Sequence, residues 1–322
     1  MNEDLMTRHP DQANAKGGTE MMQERIYSAV PRELLEKFQI WFSRYDEGMV
    51  DNSKIQLLYV HDLPGDPMYQ KTLSEEGRKR FAKILFVSNW QMQKFMDFYG
   101  LKWSECMVVR NAIDTIDCPF EKPVKDRVKL IYHTTPHRGL NILAGIWPTL
   151  SQSYPVELDV FSSFRVYGWP QRDAQYEQLF QFLRDQPNVT YHGAAPNETV
   201  RDALKDAHIF AYPSTWVETS CIALMEAMSA GTIPVHSNLG ALGETSAGLT
   251  VCYQMDENIE KHANVFYGNL AGLIEAHMNH PTAITNMRFQ IKSYATHSFN
   301  MLNRSQEWIQ LLSALAQSHK VA

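Results

Sequence analysis

The stretch that most constrains this chain is Ala211–Val235, AYPSTWVETSCIALMEAMSAGTIPV. It follows His208–Tyr212, an apolar run of strand length closed by the breaker Pro213. Thr219 and Ser220 are residue types that cap a helix, and Gly231 followed by Pro234 marks a helix end. Between them Cys221, Leu224, Met225 and Met228 recur at i, i+3, i+4 and i+7, one buried stripe. Glu226 lies off that stripe, so its carboxylate faces either water or something that needs close approach. Glu218 stands in the turn just before the helix. Strand, turn and capped helix is how α/β folds make an anion site, because first-turn N–H groups lack intrahelical partners and the dipole favours negative charge. Two acids fit beside such a site if the anion belongs to a larger ligand whose hydroxyls they grip. The same spacing also suits an ordinary βα unit with a solvated Glu226.

Strand and helix alternate around this stretch, which implies a parallel sheet. Val128–Tyr132, Val156–Phe161, Asn188–His192 and Val251–Gln254 read as strands. Asn141–Leu150, Tyr176–Arg184 and Pro196–Ala207 read as helices. Upstream, Phe38–Phe42, Ile55–Val60 and Ile84–Val87 are strand candidates. Ligands in such sheets sit at the carboxyl ends of the strands, where His61 and Asp62 follow Val60. The pair Gly17-Gly18 precedes a helix that Thr19 could cap, and glycines there let backbone N–H groups approach a ligand. A flexible loop is the other reading of that pair. Cys118–Pro123, with two prolines and two charges, reads as a linker. Trp308, Leu311, Leu312 and Leu315 form the apolar stripe of a last helix.

The length of 322 residues allows two domains, and 44% hydrophobic content supplies two cores. A net charge of −6 argues against a general nucleic-acid binder. Arg78, Lys79, Arg80 and Lys83 form a local basic run, read either as a solvated face or as a surface for an anionic acceptor or membrane. Four scattered cysteines show neither a disulfide framework nor a zinc pattern, and no apolar run reaches membrane-spanning length. A reducing, cytoplasmic setting is therefore expected.

Tyr212-Pro213-Ser214, Glu218, Glu226-Ala-Met, Ala230-Gly231 and Pro234-Val235 together resemble the E-x7-E signature of retaining glycosyltransferases of the family 4 type. The resemblance implies the α/β GT-B architecture, two Rossmann-like domains facing a cleft. Residues 1–122 would form the acceptor-side domain, 123–300 the nucleotide-sugar domain, and 301–322 a helix crossing back to the first. It further implies Glu218 near the donor sugar, Glu226 on the ribose, and the N–H groups of Thr219, Ser220 and Cys221 at the diphosphate. Gly17 and Gly18 resemble the family's N-domain loop beside the donor phosphates, and His61 a histidine close to the donor sugar. Arg138, before Gly139-Leu140, occupies the place of a cation on the diphosphate. His133 stands where many members carry a second arginine.

Two departures accompany the likeness. The lead-in Met1–Lys16 is polar with no obvious strand, so an abbreviated N-terminal domain is expected. Ala112 replaces a glycine usual in the run Asn111–Asp114, which suits a backbone angle compatible with a Cβ. The implied activity is metal-independent transfer of a sugar from a nucleotide-diphosphate donor, with no bound cofactor. The implied acceptor is a glycan, lipid-linked or other small molecule. Alternatives are a catalytically silent sugar-nucleotide or glycan-binding subunit, or another GT-B enzyme such as a sugar-nucleotide epimerase.

Overall fold

The computed structural model describes residues 17–319. The expectation for Met1–Lys16 lies outside them. The described chain divides into two compact α/β units. The first comprises Gly18–Asp114, the short segment Glu218–Ile222 and the chain from His297. The second comprises Thr115–Val217 and Ala223–Thr296.

The first unit is built on a parallel four-stranded sheet in the order β1-β2-β3-β4: Phe38–Phe42, Ile55–Val60, Phe81–Phe86 and Cys106–Val108. Every residue of β2 is buried, and its pleat feeds two cores. Leu57 and Tyr59 pack with Met22 and Ile26 of helix Gly18–Ala29 and with Trp308, Leu312 and Leu315 of helix Met301–Ser318. Leu58 and Val60 face the other way, onto Tyr69, Phe86 and Phe95. The apolar stripe of the last helix is thus buried against this sheet. The Ser88 hydroxyl caps helix Asn89–Tyr99 by accepting from Gln91 N at 3.1 Å, and Gly100 ends it at φ +61°. Ala112 is fully buried and is not among the positive-φ residues, so a Cβ is accommodated there.

The basic run Arg78–Lys83 is divided between the interior and the surface. Arg78 is buried, its Nε donating to Glu105 Oε1 at 3.0 Å and its Nη1 to the Tyr99 carbonyl at 3.2 Å. Lys79 pairs with Glu76, Arg80 lies over the Tyr45 ring, and Lys83 donates to the Ser104 carbonyl. Lys79 and Arg80 are exposed, so their contacts add little, and Arg78 alone is withdrawn into the unit.

The second unit carries six parallel strands: β5 Val128–Tyr132, β6 Val156–Val160, β7 Val189–Tyr191, β8 Ile209–Tyr212, β9 Ile233–Ser237 and β10 Val251–Tyr253. Their order across the sheet is β10-β9-β8-β5-β6-β7. The chain winds outward from β5 through β6 to β7, then restarts on the other side of β5 with β8. That is doubly wound topology, and its switch point lies between β5 and β8.

Helix Ile222–Ser229 links β8 to β9. It closes with a Schellman arrangement: Gly231 at φ +70° donates to the Met228 carbonyl at 3.0 Å, and Thr232 N to the Ala227 carbonyl at 2.9 Å. The glycine end read from the sequence is this motif. The start differs from the expectation. The first helical residue is Ile222, so Thr219 and Ser220 lie in the lead-in and do not occupy the cap position itself. Glu226 takes the unsolvated one of its two expected settings, being 7% exposed, because the helix is buried around its circumference from Leu224 to Ser229. Among the described residues no helix is long and apolar enough to cross a membrane.

Candidate functional site

At the switch point of the second unit two loops leave adjacent strands: His133–Arg138 after β5 and Pro213–Val217 after β8. They are knitted together. Gly139 adopts φ +106°, and Thr215 Oγ1 donates to the His137 carbonyl at 3.3 Å. The His137 ring stacks on Phe164 at 5.1 Å and meets Trp216 edge-on at 4.8 Å. The Arg138 guanidinium lies over that same indole, 5.9 Å from its centroid.

The loop after β5 is unusual in its polar accounting. Buried polar atoms in folded proteins are nearly always hydrogen-bonded. Here His133 Nε2, Thr134 Oγ1, Thr135 Oγ1 and His137 Nδ1 are all buried with no hydrogen-bond partner among the described residues. Ser162 Oγ, just past β6, is a fifth such atom. Neither histidine is a cation at neutral pH. Burial pushes the His133 ring down to about 3, with Phe210 packed 4.4 Å away. Burial, with Arg138 and Arg172 nearby, pushes His137 down to about 4. Arg138 is therefore the permanent charge of this loop.

Glu226 belongs to the same unit. Its Oε1 lies 3.4 Å from Arg201 Nη1, on helix Asn197–Asp206. Of the two settings that periodicity left open, water or a close neighbour, the acid takes the second, being buried and paired.

The first unit holds the remaining candidates. His61 follows β2, at its carboxyl end. Its backbone N–H donates to Ser43 Oγ at 2.8 Å, and its ring meets Tyr59 edge-on at 4.4 Å. Its Nε2 is buried without a partner among the described residues, and burial pushes the ring down to about 3. The segment Glu218–Ile222 is anchored against it. Thr219 Oγ1 donates to the His61 carbonyl at 2.9 Å, and Ser88 Oγ donates to the Thr219 carbonyl at 2.7 Å. Glu218 and Cys221 are buried at 4% and 3%, and Ser220 Oγ is buried and unpartnered among the described residues. Gly17 groups instead with the second unit and is buried. Gly18 is the first residue of its helix, so Thr19 lies inside that helix instead of capping it. A Cβ at Gly18 would stand 3.2 Å from Ile222 Cδ1, so its close neighbour is an apolar side chain.

Sequence reasoning missed Thr134, Thr135, His137, Ser162 and Arg201. A signal existed for the first three, a run of polar residues directly after an apolar parallel strand. None existed for Arg201, 25 residues upstream of its partner.

Residues 135–247 match the family model described as glycosyl transferases group 1. That span includes Arg138, Glu218 and Glu226. The fold agrees. A glycosyltransferase from Rickettsia africae ESF-5 superimposes with a TM-score of 0.65 at 12% identity, covering 94% of this chain and 83% of that one. HepE of Anabaena, in complex with UDP and glucose, gives 0.59 at 15% identity, covering 81% and 72%. The pneumococcal O-GlcNAc transferase GtfA, in complex with UDP and GlcNAc, gives 0.59 at 12%, covering 81% and 53%. At such identities the likeness is one of fold, the α/β GT-B-like class.

Among curated proteins the chain is similar to the A subunit of human phosphatidylinositol N-acetylglucosaminyltransferase, 29% identical over 140 residues, 42% of this chain and 28% of that protein. The Arabidopsis thaliana protein of the same description is 28% identical over 152 residues, 45% and 32% of the two chains. The match spans less than a third of either relative's length.

Proposed function

We propose that the protein transfers a sugar from a nucleoside-diphosphate donor to an acceptor, with retention of configuration and without a metal ion. The observation that carries this reading is the group of buried, unpartnered hydroxyl and imidazole atoms on the loop after β5, beside Arg138, at the switch point of a doubly wound sheet. Groups left without partners in a closed protein are offset by the ligand that completes them.

The chemical problem is charge. Negative charge grows on the departing diphosphate while the sugar carbon becomes oxocarbenium-like. Arg138 and the Thr134 and Thr135 hydroxyls answer the first half, each charge-assisted hydrogen bond contributing about 1.5–3 kcal/mol. The N–H groups of Thr219, Ser220 and Cys221, in the lead-in to helix Ile222–Ser229, are the further donors assigned to the diphosphate. Glu218 answers the second half by orienting the sugar and offsetting positive charge at its reacting carbon. A neutral His61 hydrogen-bonds a sugar hydroxyl without adding positive charge beside that carbon. Glu226 accepts hydrogen bonds from the ribose, and the backbone at Gly17 and Gly18 serves the phosphates. The protein itself supplies no further cofactor in this scheme.

UDP, present in the structures of HepE and GtfA, is the first nucleotide to test. N-acetylglucosamine on a lipid-linked or glycan acceptor follows from the curated relatives' description. The experiment is incubation with UDP-GlcNAc, UDP-glucose, GDP-mannose and ADP-glucose against a panel of such acceptors. Released nucleoside diphosphate is measured with and without EDTA, and the anomeric configuration of product by NMR. Failure of every donor to bind would overturn the reading, and an inverted product or loss of activity in EDTA would overturn its finer terms.

One observation favours a second reading, a silent sugar-nucleotide-binding subunit. His133 stands where the family often has a second arginine, and burial keeps it uncharged. Donor binding without turnover, indifferent to Glu218→Gln, would select that reading.

A further inference from the structure

Arg201 comes from a part of the chain that the donor-site motifs do not include. Its side chain is 17% exposed and that of Glu226 9%, with Nη1 and Oε1 3.4 Å apart. Burying a carboxylate is costly unless a cation accompanies it. A guanidinium held at that separation fixes the side from which the carboxylate is approached.

The two helices that present this pair are fixed to each other at one point. Helix Asn197–Asp206, which carries Arg201, ends at the carbonyls of Leu204 and Ala207. The buried Lys122 Nζ donates to both, at 2.8 and 2.9 Å, and to Thr232 Oγ1 at 3.0 Å, while burial pushes this amine down to about 7. Thr232 Oγ1 itself lies 3.0 Å from each of those carbonyls. Thr232 is also the residue whose N–H closes the Schellman end of helix Ile222–Ser229, which carries Glu226. The carboxyl ends of both helices therefore share one hydrogen-bonded knot. Arg201 lies one turn before its knot residues and Glu226 six residues before Thr232. A salt bridge spanning two helices already locked to each other is over-determined as a stabilising device, and well built as a means of fixing one carboxylate's direction.

We infer that Arg201 is a positioning residue for the nucleotide donor, aiming the Glu226 carboxylate at the hydroxyls of the ribose. The inference rests on the donor-site reading of Glu226 given above. It makes discrimination for ribose over its deoxygenated analogue a property of the Arg201–Glu226 pair, whereas affinity for the diphosphate belongs to the loop after β5.

The test uses the full chain and calorimetric binding of UDP, GDP and ADP, followed by the 2′,3′-dideoxy counterpart of whichever binds most tightly. Wild type is expected to favour the ribonucleotide by about tenfold or more, one charge-assisted hydrogen bond being the difference. Arg201→Met is expected to cut that preference to about threefold or less while leaving dideoxynucleotide affinity within about twofold. Glu226→Gln should do the same, and the double variant should be no worse than Glu226→Gln alone. Arg201→Lys keeps the charge and is expected to keep part of the preference. Each variant's thermal midpoint without ligand separates misfolding from misdirection. Weakening of both nucleotides to the same degree in Arg201→Met, or an unchanged preference, would overturn the inference and leave the donor site standing. Binding of no nucleoside diphosphate by wild type would overturn both.

Discussion

A Cβ on Gly139 would stand 2.0 Å from the carbonyl oxygen of Pro213. The loop that carries Arg138 and the loop that leads to Glu218 therefore approach each other as bare backbone, at the point where the second sheet reverses its winding. Gly139 is also held at φ +106°, a region that side chains avoid. Gly139→Ala is expected to lose about 3 kcal/mol or more of stability, since the obstacle is backbone and the conformation is strained. Urea denaturation measures it, and a loss below about 1 kcal/mol would mean that the two loops can part freely.

Arg138→Ala should lower kcat/KM about 10²-fold, the equivalent of removing one charge-assisted hydrogen bond from the diphosphate. Its thermal midpoint, measured alongside, separates lost chemistry from lost packing, since the guanidinium lies over the Trp216 ring and its Nε is buried. Arg138→Lys should recover only part of the rate, since an ammonium lacks the planar fork. Activity of Arg138→Ala within about threefold of wild type would remove this residue from the reaction.

For Glu218→Gln the expected pattern is a fall in kcat of about 10²–10³-fold with donor affinity kept within about threefold, because a charge aimed at the reacting sugar matters most in the transition state. A rise in KM with kcat unchanged would assign Glu218 to ground-state binding.

Stability should fall in mild acid. Burial holds the His208 ring down to about 3 and the His236 and His277 rings down to about 4, against an unfolded value of 6.5. Below the unfolded value the denatured chain binds protons that the native chain refuses, so stability is lost as pH falls from about 6.5 toward about 4. Each such histidine contributes a slope of about 1.4 kcal/mol per pH unit inside that window. Urea midpoints at about pH 7.5 and about pH 5.5 test this, and His277→Gln should show the smaller drop.

Trp308→Ala should cost about 3–5 kcal/mol, as for other buried indoles, since Trp308 is fully buried and meets the Tyr59 ring at 5.3 Å. Leu302, on the same helix but 70% exposed, should tolerate alanine within about 0.5 kcal/mol. Equal effects of the two substitutions would contradict the packing of that helix on the first sheet.

Much of the fold was legible because its strands announce themselves locally. Phe38–Phe42, Ile55–Val60 and Val128–Tyr132 are apolar runs between breakers, and they are strands over those same residues. Gly231 likewise marks its helix end, since a left-handed position selects glycine. The cap at the other end was misplaced because Thr219 commits its hydroxyl to the His61 carbonyl, a partner far away in sequence. Periodicity left Glu226 facing either water or a close neighbour, because the groups that enclose this helix on every side come from elsewhere in the chain. The cations of Arg78–Lys83 looked available for the same reason, their acceptors at Glu105, Tyr99 and Ser104 being invisible to a local window.

The knitting of helix Met301–Ser318 into the first sheet has a consequence for biogenesis. A growing polypeptide makes Met22, Ile26 and Tyr59 hundreds of residues before it makes Trp308. Until then that apolar side of the sheet is covered only in part, by helix Gly18–Ala29, while most of the second unit can collapse on its own contiguous stretch. Synthesis order and assembly order therefore run opposite ways here. The half-built first unit is the species on which a holdase chaperone would act, and the one whose lifetime sets the yield of native protein.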